Sequence, residues 1–274
     1  MERGREMKPA RTGRRGTRAA RCCIWGLAGA TVLGAATAPL QAAQFIGVAW
    51  DSLNSPVYRF DAPGGPVTLV GYSGFPGLNS LASAPGERFY SLATYPDHSL
   101  LVEVDLNTGV AAPVVPLSVI GIRGLAITTD GIFYGTLGSG RLIEINPLSG
   151  ATHTVLQTPY TAMQGLTAWP GGLLYSWDIV AGLVMIDPVA GLAADVNPQV
   201  GGFSDIQSLA LDSGGLLLGG RNGLYHIDVN TGVATAIGTV GPLDLRGIEL
   251  APEPGTLLFA LAGTAGLLLR RWRS

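Results

Sequence analysis

Residues 224–238 read LYHIDVNTGVATAIG, and this stretch contains the pattern that decides the fold. In it an Asp stands four residues before a Gly, and an Asp or Asn with a Gly at this spacing recurs along the chain. The five copies, separated by steps of 44, 41, 41 and 41 residues, are Asp61/Gly65, Asp105/Gly109, Asn146/Gly150, Asp187/Gly191 and Asp228/Gly232. A period of this length indicates that each copy is one supersecondary unit of a repeat architecture.

Each copy of the pair follows residues that alternate between apolar and mostly polar. In the quoted copy, Tyr225 and Ile227 flank His226, and the other copies are apolar at the same two positions. Met185 is the exception at the intervening position. Alternation with a period of two predicts a strand, and the Asx and Gly predict a turn after it. A second β-prone run, such as THTVLQ or ATAIGT, then follows.

A second aligned series lies upstream of each turn and predicts a further strand. Its copies are LNSLA from Leu78, IRGLA from Ile122, MQGLT from Met163, IQSLA from Ile206 and LRGIE from Leu245. The first four are each followed by another strand-like run, such as IFYGTL or LLYSWDI. One repeat is therefore four short strands in about 41 residues, which is the size of a propeller blade.

The two ends of the repeat region are incomplete in complementary ways. The first copy begins at Phe45 without a first strand, and the last copy, RGIELAP from Arg246, is only a first strand. Pairing the two fragments completes a fifth blade and removes the exposed edges of an open array. The predicted fold is all-β, a five-bladed β-propeller closed by shared amino- and carboxy-terminal strands. The alternative, a β-sandwich of irregular hairpins, does not explain the 41-residue step.

The core of the repeat resembles a broad type of bacterial propeller with the pattern LYxIDxxTGxxTxIG. This resemblance covers most of residues 45–250. It implies the fold alone, because proteins of many functions share it.

Residues 1–43 have the three parts of a secretory signal peptide with a signal helix. A basic stretch ends at Arg21, an apolar stretch follows, and the small-residue exit PLQAAQF places cleavage at Ala42 or Ala43. Cleavage would remove Cys22 and Cys23 and leave a chain without cysteine, so disulfides and thiolate metal sites are not expected.

Residues 252–274 have the order of a second sorting signal. Pro252, Glu253 and Pro254 precede an uncharged apolar run to Leu269 and a basic RRWRS terminus. This tail resembles the PEP-CTERM signal, which implies an exosortase as partner, in bacteria that usually make extracellular polysaccharide. As a helix of about 1.5 Å per residue the run is short for a bilayer core of about 30 Å, which favours transient membrane insertion. A plain tail anchor without processing is the alternative.

The charge of the chain is unevenly distributed. The first 43 residues hold eight of the 17 basic residues, whereas the propeller region, residues 44–251, has six arginines, no lysine and 16 acidic residues. Its formal charge of about −10 argues against nucleic acid as a partner. The positive-inside rule predicts that Arg270, Arg271 and Arg273 stay cytoplasmic, which leaves this acidic domain outside the membrane.

The predicted first strands offer the best candidate for a ligand site. Each carries a hydrogen-bonding side chain two residues before the core Leu or Ile, followed by a Gly or Ser. If these strands line the channel, the side chains form a ring at its mouth that binds a carboxylate or sugar hydroxyls. The alternative is that the ring bonds only water and neighbouring backbone. Its members are Asn79, Arg123, Gln164, Gln207 and Arg246.

Evidence for other chemistry is weaker. The three histidines are not spaced as metal ligands, and no cofactor motif is present, so neither a metal nor a cofactor is expected. Three tryptophans, Trp50, Trp169 and Trp177, either pack in the core or stack on a sugar. Three acids near the channel, Asp205, Asp244 and Glu249, are the candidates for a glycosidase.

These patterns predict an exported protein, tethered to the membrane before processing and then located at the cell surface or in the extracellular matrix. Its propeller is predicted to be non-catalytic and to serve as a binding or structural module, with extracellular polysaccharide as a candidate partner. The alternative function is a secreted glycan-active enzyme, a hydrolase or lyase, on the same propeller.

Overall fold

The computed structural model describes residues 44–61, 65–212, 215 and 217–251. The predicted signal peptide with its cleavage site, and the predicted sorting signal with its transmembrane helix, lie outside the described residues. The described part is all-β and contains no helix. It accordingly holds no helix long and apolar enough to cross a membrane.

The strands are short, and most are four to seven residues long. The first ten in chain order are β1 (Gln44–Ala49), β2 (Pro56–Asp61), β3 (Val67–Tyr72), β4 (Ala82–Ala84), β5 (Arg88–Thr94), β6 (Ser99–Val104), β7 (Ala111–Leu117), β8 (Ile122–Ile127), β9 (Phe133–Leu137) and β10 (Arg141–Ile145). The next ten are β11 (Thr152–Gln157), β12 (Met163–Ala168), β13 (Leu174–Asp178), β14 (Gly182–Asp187), β15 (Leu192–Asp195), β16 (Ser208–Leu211), β17 (Leu217–Gly220), β18 (Gly223–Ile227), β19 (Ala234–Thr239) and β20 (Leu245–Leu250).

The strands form five antiparallel sheets of four, so the fold is a five-bladed β-propeller. Blade 1 has the order β20-β1-β2-β3 from the axis outward, and blades 2 to 5 follow as β4-β5-β6-β7, β8-β9-β10-β11, β12-β13-β14-β15 and β16-β17-β18-β19. The five innermost strands contact one another in a closed ring, with β20 between β16 and β4. The prediction that the two ends of the repeat region share one blade is confirmed.

The closing pair in blade 1 is β1 with β20. Phe45 pairs with Leu250 and Gly47 with Ile248. Backbone hydrogen bonds extend the pairing past both strand ends, since Ala251 N–H donates to Gln44 O at 2.8 Å and Trp50 N–H donates to Asp244 O at 3.0 Å. The ring is therefore held by a ladder, interrupted by one bulge, between the beginning and the end of the propeller region.

The predicted Asx and Gly turns join the third and fourth strands of the blades. In the last copy, an Asp228 side-chain oxygen accepts the N–H of Asn230 at 2.8 Å and that of Thr231 at 3.3 Å. The N–H of Gly232 donates to the Asp228 carbonyl at 2.8 Å, with Gly232 at a φ of 68°. The positive φ explains the Gly, because this conformation strains other residues.

The apolar residues pack between adjacent blades and form five buried clusters. Between blades 4 and 5, for example, Trp177 and Leu183 contact Ile206 and Leu209. Trp177 is the largest fully buried side chain among the described residues, and its indole N–H donates to Phe203 O at 3.0 Å. Burial of this apolar surface is the main force that holds the blades side by side.

The innermost strands are so close that only small residues fit where they touch. A Cβ on Gly124 would lie 2.6 Å from the carbonyl carbon of Gly165, and one on Gly247 would lie 2.3 Å from that of Ser80. The N–H of Ser80 donates to Arg246 O at 3.0 Å, which links blades 1 and 2 directly. The Gly or Ser after each predicted ring residue is thus explained by backbone contact near the axis.

Candidate functional site

The channel has two mouths, which differ in chemistry. The amino-end mouth is where the innermost strands begin, and the carboxy-end mouth is where they end. The predicted ring belongs to the amino-end mouth. Its members lie in the first residues of β8, β12 and β20 or just before β4 and β16: Asn79, Arg123, Gln164, Gln207 and Arg246.

β-Bulges interrupt the strand pairing at three residues near the amino-end mouth. Arg123 has no partner on β9, because Ile122 pairs with Leu137 and Gly124 with Thr136. Arg246 is skipped in the same way in the pairing of β20 with β1, whereas in β12 the skipped residue is Gly165. A bulge re-aims the side chain at its position and bends the strand.

Three of the ring side chains donate to neighbouring groups of the protein. Asn79 Nδ2 donates to Ile122 O at 3.1 Å, and Gln207 Nε2 donates to Ser204 O at 3.0 Å. Arg246 donates from Nε and Nη2 to both carboxylate oxygens of Asp244, at 3.0 Å each. These contacts agree with the alternative in which the ring side chains form hydrogen bonds with neighbouring groups of the protein. Ligand binding by the ring stays a prediction.

Asp244 is held by two cations. Its Oδ1 accepts Arg221 Nε at 2.5 Å in addition to the two bonds from Arg246, and the Arg246 guanidinium lies 5.6 Å from the centre of the Trp50 ring. Burial raises the pKa of Asp244, but hydrogen bonds from Arg246 and Arg221 outweigh it and hold the pKa below its usual value. Asp244 is therefore a neutralised carboxylate that fixes the amino-end mouth.

Asp205 is likewise held by hydrogen bonds within the protein. Its side chain accepts the N–H of Asn222 at 3.3 Å, the N–H of Gly223 at 3.1 Å and the hydroxyl of Tyr225 at 2.9 Å. These bonds secure the β17–β18 turn against the segment before β16. Asp205 and Asp244 are thus both held by hydrogen bonds to neighbouring groups of the protein.

A cavity of about 700 Å³ lies at the carboxy-end mouth. Every blade contributes to its wall. Among the lining residues are Ser83 of β4, Thr128 after β8, Trp169 after β12, Asp212 after β16 and Glu249 of β20. Such a volume lies within the range of about 300–1,000 Å³ that is typical of small-molecule sites.

Glu249 is the titratable group in this cavity with the most altered pKa. Its Oε2 accepts the N–H of Ser83 at 3.1 Å, across the contact between blades 1 and 2, and its Oε1 accepts the N–H of Leu250 at 3.2 Å. Burial among apolar groups raises its pKa from 4.5 to about 7, against these hydrogen bonds, which lower it. The carboxyl group therefore exchanges a proton near neutral pH.

Glu249 is a candidate acid in the sequence, but the cavity around it was not predicted. The predicted ring lies at the beginnings of the first strands, whereas the cavity is built where those strands end. The sequence feature that could have indicated the cavity is the set of polar residues at or just after the ends of these strands: Thr128, Thr129, Asp212 and Glu249. The three tryptophans do not form one platform, since Trp177 is buried in the core and Trp50 lies beside Arg246, while Trp169 lines the cavity.

The histidines lie in local contacts on the surface. His98 stacks on Tyr95 with ring centres 4.6 Å apart, and His153 lies 3.6 Å from Glu144. Within residues 44–61, 65–212, 215 and 217–251, no group of three or more His, Cys, Asp or Glu side chains is arranged to hold a metal ion.

Comparison with known proteins supports the fold. One similar structure is a chain from the crystal structure of a nidogen/laminin complex, 12% identical, covering 76% of this chain and 98% of that chain with a TM-score of 0.54. Another is a structural genomics protein of unknown function from Bacteroides thetaiotaomicron, 14% identical, covering 72% of this chain and 59% of that chain with a TM-score of 0.51. No family model and no curated protein matches the sequence. Identities this low show a shared propeller fold and carry no function.

Proposed function

We propose that this chain is an exported cell-surface or matrix protein whose propeller is a non-catalytic binding module with its ligand site in the carboxy-end cavity. The observation that carries the binding role is the cavity of about 700 Å³, to which all five blades contribute. A concave site on a rigid scaffold is the usual form of a small-molecule or glycan site. Extracellular polysaccharide is the proposed source of the ligand.

Export and sorting are supported by the two terminal sequences. Residues 1–43 have the order of a signal peptide, and residues 252–274 resemble a PEP-CTERM tail, the substrate of an exosortase. The acidic propeller between them suits an extracytoplasmic location, since the basic RRWRS terminus is expected to stay on the cytoplasmic side.

Replacement of Pro252, Glu253 and Pro254 by alanine is expected to block processing of the tail. The wild-type chain should lose the segment that follows the motif and leave the inner membrane, whereas the variant should stay whole and membrane-bound. Intact-mass measurement with cell fractionation in the native host distinguishes the two. If both chains remain full length in the membrane, the tail is a plain anchor.

Filling the cavity is expected to abolish ligand binding. Ala84 lines the cavity, so Ala84→Trp should greatly reduce co-sedimentation of the chain with extracellular polysaccharide from the native host. The control is Ala112→Trp on β7, which adds the same side chain to an exposed position of an outermost strand. Equal binding by both variants and the wild type, with unchanged melting temperatures, would place the ligand site elsewhere.

A secreted glycan-active enzyme is the second candidate. The observation in its favour is Glu249, because a carboxyl group whose pKa is raised to about 7 suits a general acid, and Asp212 lines the same cavity. Release of reducing ends or unsaturated sugars from the polysaccharide, lost in Glu249→Gln, would favour this function over binding alone.

A further inference from the structure

The wall of the carboxy-end cavity is mainly apolar but carries only one sign of charge. Glu87, Asp212 and Glu249 line it, and none of the described lining residues is Arg, Lys or His. These acids come from the turn after β4, from the segment after β16 and from β20 itself, whereas the ends of β8 and β12 contribute uncharged residues such as Thr128 and Trp169. An anionic, partly apolar enclosure favours a ligand that brings a positive charge.

The carboxylates at the two mouths have different partners. At the amino-end mouth, Arg221 and Arg246 neutralise Asp244. Glu249 accepts two backbone N–H groups and a hydrogen bond from the Ser83 side chain, and the ion pairs found among the described residues do not include it. A carboxylate has about four acceptor positions, so Glu249 retains capacity toward a donor in the cavity. A half-buried carboxylate without a cation is stabilised by one that a ligand supplies.

Trp169 adds a surface for a ring or a cation. It lines the cavity, and its own ring meets Tyr175 edge to face with centres 5.3 Å apart, which holds it in place. A fixed indole binds cations above its face and stacks on flat apolar groups. The cavity thus combines an acceptor for an N⁺–H donor with an aromatic wall.

We propose that the ligand of the carboxy-end cavity carries an ammonium group on a small ring, with the ammonium at Glu249 and the ring against the apolar wall that includes Trp169. This inference rests on the proposed function, since it requires that the cavity binds a ligand. It adds the chemical class of that ligand, which is cationic and not a carboxylate or a neutral sugar.

The test uses three probes of equal ring size: benzylammonium, benzyl alcohol and benzoate. In NMR titrations of the full chain in mild detergent at pH 8, benzylammonium should bind at least about tenfold more tightly than benzyl alcohol, and benzoate more weakly still. Glu249→Gln should remove the preference for the cation. Glu144→Gln, which removes the same charge from β10 outside the cavity wall, should leave it intact.

The pH dependence gives an independent readout. Glu249 should lose its proton between pH 6 and 8, while benzylammonium keeps its charge, so wild-type affinity should rise up to about tenfold over that interval and that of Glu249→Gln should stay flat. Equal affinity for benzylammonium and benzyl alcohol would overturn the proposed ammonium ligand but leave the binding function standing. Tighter binding of benzoate would also overturn the ammonium ligand and leave the binding function standing. If no probe and no polysaccharide binds, the proposed function fails together with it.

Discussion

Gly247→Ala is expected to lower the free energy of unfolding by about 3 kcal/mol, at the upper end of the usual cost of overpacking. The added Cβ would lie 2.3 Å from the carbonyl carbon of Ser80 and 2.4 Å from the backbone nitrogen of Leu81, and neither backbone atom can rotate away. Because Gly247 belongs to β20, the clash would separate blades 1 and 2 at the closure of the ring. The melting temperature should fall by roughly 6–12 °C.

Ser208→Ala is the matched control, because Ser208 is the corresponding residue of blade 5 and already has a Cβ. It loses one buried hydrogen bond, from the Ser208 hydroxyl to Gly220 O at 2.7 Å, which is worth about 1 kcal/mol. Urea denaturation of the two variants should therefore differ clearly. Equal losses would mean that the contact between β20 and the Ser80 backbone is loose enough to absorb a methyl group.

Glu249→Gln is expected to stabilise the folded chain at pH 8 and to change little at pH 4.5. With a pKa of about 7 in the folded state against an ordinary 4.5, the folded chain keeps a proton that the unfolded chain has lost between these values. The free energy of unfolding of the wild type therefore falls as the pH rises from 4.5 to 7 and stays lower above it. Gln does not titrate and still accepts the N–H of Ser83, so it removes this loss. The gain at pH 8 should be about 1–3 kcal/mol, allowing for solvent in the cavity.

Thermal unfolding of wild type and variant at pH 4.5, 6, 7 and 8 measures this gain, since other titrating groups cancel in the difference. Glu144→Gln, on β10 and outside the cavity wall, should show no comparable trend. A difference between wild type and Glu249→Gln that does not depend on pH would mean that Glu249 titrates normally and that its surroundings are well solvated.

The parts of the fold that were predicted correctly depend on short stretches of chain. The alternation around His226 indicates a strand with one buried face, and the pair Asp228 and Gly232 specifies the turn through local hydrogen bonds and a positive φ. The repeat step then sets the blade size, and the two incomplete end copies indicate how the ring closes. The Gly or Ser at the axis followed from the same alignment, because the innermost strands approach one another closely there.

The candidate site was harder to predict because it is built from contacts between blades. The sequence offers Asp205 and Asp244 as candidate catalytic acids, yet Asp205 is bound by Tyr225 of β18 in its own blade, and Asp244 is bound by Arg221 of the neighbouring blade. Glu249 differs from both because it accepts the N–H of Ser83, which is 166 residues away in the chain. Arg246 is a local partner of Asp244, two residues away, but Arg221 and Ser83 are distant in the chain, and no local pattern specifies such contacts.

The amino-acid sequence by itself determined the strands, the turns, the number of blades and the shared closing blade, because each depends on periodicity and on turn residues a few positions apart. The tertiary structure alone decided that the channel has two unlike mouths: one in which Arg221 and Arg246 neutralise Asp244, and one in which Glu249 lies in an acidic cavity with Trp169. The physical reason is that charge compensation and desolvation depend on distances in space, and the ring brings together residues from all five blades.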